Sequence, residues 1–117
     1  MKLGEVKEVL RATVVVGEHL MDTQVRAGAG SDLMSDLLMG PISDVLVLSG
    51  LNNLQVIRTC VIAGVAAVVL VRGKVPTEEM IAQARNHGMP LLTTPFTMFT
   101  ACGRLFREGL RGVEIRP

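Results

Sequence analysis

Apolar residues run unbroken through Val45 to Leu48 and through Val65 to Val71, whereas the intervening and following segments repeat them at helical, three- and four-residue spacing. A run without polar alternation is a strand buried on both faces, as in a parallel sheet covered by crossover helices. After the first run, Asn52 or Asn53 can cap a helix that carries Leu54, Ile57, Val61 and Gly64 on its inner face. After the second, Thr77-Glu78-Glu79 supplies a cap and carboxylates at the positive end of a helix. That helix turns Met80, Ile81 and Ala84 inward and stops at Gly88, just before Met89-Pro90. A short strand, Leu91 to Thr93, then leads through Thr94-Pro95 to a last helix with Phe99, Cys102, Phe106 and Leu110 along one stripe, Thr94 serving as its cap.

The N-terminal part reads less regularly. Leu3, Val6 and Leu10 give a short helix ending near Arg11, followed by a β-branched strand from Thr13 to Val16. Glu18 to Asp22 forms a turn, and Gln24 to Ala27 a second extended piece, so the two are expected to pair as an antiparallel β-hairpin. Gly28-Ala29-Gly30-Ser31-Asp32 is expected to be a turn plus N-cap for a helix carrying Leu33, Met34, Leu37 and Leu38 and ending at Gly40-Pro41. The reading is a single α/β domain over residues 1–117, a largely parallel sheet flanked by helices, with an N-terminal helix, the hairpin, and a loosely held tail from Arg111 to Pro117. The pattern leaves the strand order open.

Composition narrows the function. With 12 basic and 11 acidic residues, and no Trp or Tyr, the chain has neither the charge nor the base-stacking platform of a nucleic-acid binder. The longest apolar stretch, Val61 to Val71, falls short of the ~18 residues a membrane span needs. The N-terminus has no apolar signal region, and Cys60 and Cys102 read as core residues of a reducing compartment, so a cytoplasmic location is expected.

Chemistry-bearing residues are sparse. His19, His87 and the two cysteines fall on separate elements, so no metal-ligand spacing is present, no cofactor is implied, and no catalytic residue is assigned. Three loops follow strand ends and offer polar groups: Ser49, Gly50, Asn52 and Asn53 after the first run; Arg72, Gly73 and Lys74 after the second; Thr93 and Thr94 after the third strand. In open α/β sheets the carboxyl ends of the strands hold ligands. The cations suit a phosphate or carboxylate, the neutral groups a base edge. Each loop taken alone is also explained by turn and cap chemistry; together they form a candidate ligand groove.

Val68-Val69-Leu70-Val71-Arg72-Gly73-Lys74-Val75-Pro76-Thr77-Glu78-Glu79, continuing through Gly88-Met89-Pro90-Leu91-Leu92-Thr93-Thr94, resembles DRTGG domains and, more distantly, the N-terminal domain of HPr kinase/phosphorylase. Leu3 to Gly17, Asp22, Gly30-Ser31-Asp32 and Leu48 to Asn53 fit the same resemblance, although the five residues that name the family do not occur together here. The resemblance implies a regulatory and dimerisation module, of the kind found beside CBS domains in some pyrophosphatases and within some phosphotransacetylases. It implies a homodimer sensing a small anionic ligand such as an adenine nucleotide. It also leaves room for a protein–protein adaptor of an iron-only hydrogenase system, and a small phosphate-handling enzyme using Arg72, Lys74 and the Ser49 to Asn52 loop stands as the remaining alternative.

Overall fold

The computed structural model describes residues 1–38 and 42–113. Its elements are α1 (Leu3–Val9), β1 (Thr13–Val16), β2 (Ala27–Gly30), α2 (Met34–Leu37), β3 (Val45–Ser49), α3 (Leu54–Ala63), β4 (Ala67–Leu70), α4 (Glu78–Asn86), β5 (Leu91–Thr93) and α5 (Met98–Arg107). The sheet has five strands in the order β1-β5-β4-β3-β2. β2, β3, β4 and β5 are parallel, and β1 joins β5 antiparallel.

The placement of the helices follows from this order. From β2 to β5 each strand is laid beside the last in one direction, and right-handed crossovers then place the connecting helices on one face. Val56, Ile57 and Cys60 of α3 and Met80 and Ala84 of α4 accordingly pack on Val45, Val47, Val68 and Leu70. The alternate side chains, Leu46, Leu48, Ala67 and Val69, point to the opposite face, where Leu3, Val6 and Leu10 of the N-terminal segment and Ala101 and Leu105 of α5 cover them. Both apolar runs are thus buried from two sides, which is why they lack polar alternation.

The expected hairpin does not form. β1 pairs with β5, at the other end of the sheet from β2, and Gln24 bridges Lys2 instead. Alternation over four or five residues fixes which face is buried but not which strand lies alongside. The strand at this edge is Ala27–Gly30, in a segment expected to be a turn. Glycine is ordinarily poor in strands, but here it admits a helix. A Cβ on Gly28 would lie 3.2 Å from Leu110 Cδ2, and one on Gly30 2.9 Å from Met98 Sδ.

Other expectations shift similarly. α2 is a single turn, Leu33 and Leu38 are exposed rather than core-facing, and its expected stop at Gly40-Pro41 lies outside the described residues. Thr97, not Thr94, caps α5 by accepting from the Thr100 amide, and Asn53 occupies the cap position of α3 without a side-chain bond. The buried positions of α5 are Ala101 and Leu105, so Phe99 and Phe106 face solvent. The start of the expected tail is tied down: Gly28 donates to Arg111 O at 2.9 Å and Val113 donates to Gly28 O at 3.1 Å. Residues 114–117 lie outside the described residues.

Gly17 makes the turn out of β1 with φ of 98°, and a Cβ there would sit 3.1 Å from Pro90 Cα. Gly17→Ala is expected to destabilise the fold by roughly 1–3 kcal/mol, because both the left-handed backbone and the contact oppose the methyl group. A urea midpoint equal to that of the parent chain would contradict this.

Candidate functional site

The parallel strands end level with one another. Gly30 is paired with Leu48, Ser49 with Leu70, and Leu70 with Thr93, so the loops that follow gather on one rim. Backbone bonds lock them together: Val71 donates to Ser49 O at 3.0 Å, Arg72 to Phe96 O at 2.7 Å and Gly73 to Thr94 O at 2.8 Å. The Asn52 side-chain amide donates to Val75 O at 3.2 Å, tying the loop after β3 to the loop after β4.

The expected site residues divide into two groups. Ser49 is buried; its hydroxyl donates to Asp32 Oδ1 at 3.2 Å and accepts from the Leu51 amide at 3.2 Å. The Gly50 amide donates to the same Asp32 oxygen at 2.6 Å. Thr94 is also buried, donating to Leu10 O at 2.6 Å and accepting from the Phe96 amide at 3.3 Å. These groups are engaged in holding the loops. Thr93 is half-buried at the end of β5, and Asn53 is exposed at the head of α3.

Asn52, Arg72, Gly73 and Lys74 present the accessible polar surface of the rim. Arg72 holds φ of 60°, in the left-handed region that non-glycine residues occupy at a cost, and Gly73 follows with φ of 65°. Among the described residues neither Arg72 nor Lys74 joins an ion pair. Two cations on a loop pinned at both ends can receive an anion with little further ordering.

Asp32 is a candidate site residue that stands outside those expected from the sequence. Read as a helix cap, it is instead an exposed carboxylate that crosses to the β3 loop and fills the position an anion would take on the Gly50 amide. It can accept hydroxyl hydrogens from a ligand on that side of the rim, while the cations lie on the other. No local signal distinguishes such a carboxylate from a cap, because its partner is 18 residues away.

The topology also limits the rim. Ligand crevices in open sheets form where the strand order reverses. From β2 to β5 it does not reverse, so no such crevice separates the parallel strands. A cavity of about 160 Å³ lies instead beside β2, lined by Gly28, Gly30, Leu48, Cys102, Leu105 and Phe106 among others.

Among the described residues, no group of three or more His, Cys, Asp or Glu is placed to hold a metal ion, and no helix is long and apolar enough to cross a membrane. Cys60 and Cys102 are unpaired thiols; burial pushes Cys60 up to about 12 and raises Cys102 as well, so neither is an activated nucleophile.

No protein-family model and no curated protein matches the chain. Among solved structures it is similar to the CBS and DRTGG domains of the regulatory region of Clostridium perfringens pyrophosphatase, complexed with its activator diadenosine tetraphosphate. The TM-score is 0.75 at 17% identity, over 89% of this chain and 45% of that one. The chain therefore has a DRTGG-like fold and spans under half the length of the structure it matches.

Proposed function

We propose that the chain is a non-catalytic regulatory module that self-associates and senses a small anionic ligand, an adenine nucleotide being the leading class. The observation that carries this reading is the likeness of its fold to a pyrophosphatase regulatory region that binds diadenosine tetraphosphate. The rim supports it with Arg72 and Lys74 for phosphate, Asn52 for a base edge and Asp32 for sugar hydroxyls.

Titration calorimetry against mono-, di- and triphosphates of adenosine and against dinucleoside polyphosphates tests the ligand. Binding to at least one is expected, with Arg72→Ala and Lys74→Ala each weakening it roughly tenfold, the effect of losing one charge-assisted contact. No heat with any member of the panel removes nucleotide sensing. Light scattering tests self-association, and a monomer at every concentration removes that part.

A second reading, an adaptor for another protein such as a component of an iron-only hydrogenase system, draws on the exposed apolar residues Ile62, Val75 and Phe99. It predicts partner binding that survives Arg72→Ala and Lys74→Ala.

A further inference from the structure

Two guanidinium groups lie over the ring of Phe96. Arg104 Cζ is 4.5 Å from the ring centroid and Arg11 Cζ 5.9 Å. Arg11 follows the end of α1, Arg104 belongs to α5, and Phe96 is in the loop between β5 and α5. Among the described residues neither arginine joins an ion pair. Glu8, the acid nearest to Arg11 in sequence, is taken by Lys7 at 3.7 Å. Arg104 has a structural duty, since its Nε donates to Val9 O at 2.9 Å at the end of α1, but the rest of its fork stays available. The exposed Arg11 side chain makes no such bond among the described residues.

Arg11 is pinned at the rim. The carbonyl of Leu10, just before it, accepts from the Thr94 hydroxyl at 2.6 Å, and Thr13, just beyond it, is paired with Thr93 at the end of β5. Arg72 is tied to the same place, because its amide donates to Phe96 O at 2.7 Å. Three arginines therefore converge on one loop. Two of them have unusual backbones: Arg11 holds φ of 48° and Arg72 φ of 60°. A helix that ends in this left-handed conformation ordinarily does so on glycine or asparagine, since a Cβ is disfavoured there. Glycine would close α1 with less strain; what arginine adds is a cation beside Phe96.

Charge indicates the ligand. In a chain of net charge +1, Arg11, Arg72, Lys74 and Arg104 form a local excess on one stretch of the rim. Guanidinium forks grip phosphate oxygens in pairs, and they shed water more readily than an ammonium group. A single phosphate satisfies one or two forks. A chain of phosphates carries successive charges and can run from Lys74 and Arg72 to Arg11 and Arg104. The two guanidinium carbons over Phe96 are no further apart than their two distances to the centroid together, which a triphosphate can span.

We infer that Arg11 and Arg104, held against Phe96, extend the Arg72–Lys74 loop into a site for a polyphosphate chain. This rests on the anionic-ligand reading above and narrows its ligand to compounds with several linked phosphates, a monophosphate filling only part of the site.

Titration calorimetry of the full chain with inorganic phosphate, pyrophosphate and tripolyphosphate tests the site without a nucleoside. Affinity is expected to rise at least tenfold from phosphate to tripolyphosphate. Arg11→Gln and Arg11→Gly are each expected to weaken tripolyphosphate roughly tenfold, the effect of losing one charge-assisted contact. The glycine variant should at the same time raise the urea midpoint, so that its lost binding is not a damaged fold. Arg104→Gln should weaken binding likewise, and Arg58→Gln, the same charge change on α3 under the other face of the sheet, should leave it unchanged.

Tripolyphosphate bound no tighter than phosphate, or bound equally by the parent and both Arg11 variants, overturns the polyphosphate site and leaves nucleotide sensing at Arg72 and Lys74 standing. Tripolyphosphate binding that depends on Arg11, in a chain that takes no nucleotide, supports the site and removes the nucleotide reading. No heat with either class removes both.

Discussion

Leu46→Ala is expected to lower the stability of the fold by about 2–5 kcal/mol. Leu46 lies on β3, paired with strands on both sides, and its side chain is fully buried in the layer under α1 and α5. Its neighbours in register are Gly28 on β2 and Ala67 on β4. Neither is large enough to move into the space a leucine would vacate, and both strands are held by parallel ladders, so little of the cavity can close. The loss should therefore fall in the upper half of the range. Urea denaturation measures it as a lower midpoint at unchanged slope. A loss below about 1 kcal/mol would show that the layer relaxes around the gap.

Thr94→Val is expected to cost about 1–3 kcal/mol although the side chain keeps its shape. The Thr94 hydroxyl donates to the Leu10 carbonyl at 2.6 Å, across 84 residues of sequence, and accepts from the Phe96 amide at 3.3 Å. Both Thr94 and Leu10 are buried, so water cannot replace the lost donor cheaply. The hydroxyl fastens the end of α1 to the loop that leads from β5 into α5. Thr94→Ser keeps the donor and should recover most of the loss, and amide exchange at Phe96 should quicken in the valine variant alone. Equal stability of the valine and serine variants would show that the bond contributes nothing net.

The two variants differ in how far the sequence foretells them. The burial of Leu46 is written in the unbroken run from Val45 to Leu48, since only a strand covered on both faces carries no polar residue. The role of Thr94 is not. Before Pro95 it has the form of a helix cap, and the true cap, Thr97, stands three residues later with an equally ordinary sequence. A hydroxyl's choice between a nearby amide and a distant carbonyl depends on where the first helix lies, and residues 94–97 carry no information about that.

The rim divides in the same way. That Ser49, Asn52, Arg72 and Thr94 follow strand ends is visible from the alternation of apolar runs and helical segments, because each loop's position in the chain is fixed by the elements around it. Which of them face solvent is not visible. Ser49 and Thr94 turn inward to partners far along the chain, leaving Asn52, Arg72 and Lys74 to carry the proposed binding surface. Asp32 enters that surface only because β2 lies against β3.

By itself the sequence determined the α/β class, the parallel core strands, the boundaries of α3 and α4 and the Thr77 cap, all of which depend on contacts within a few residues or on burial averaged over a whole segment. The tertiary structure decided the rest: β1 beside β5 rather than β2, Gly28 and Gly30 within a strand, and the exposed stripe on α5. Each of these is set by a partner distant in sequence. Local periodicity specifies which side of an element is apolar, but the surface that covers it, or leaves it open, is chosen only when the layers assemble.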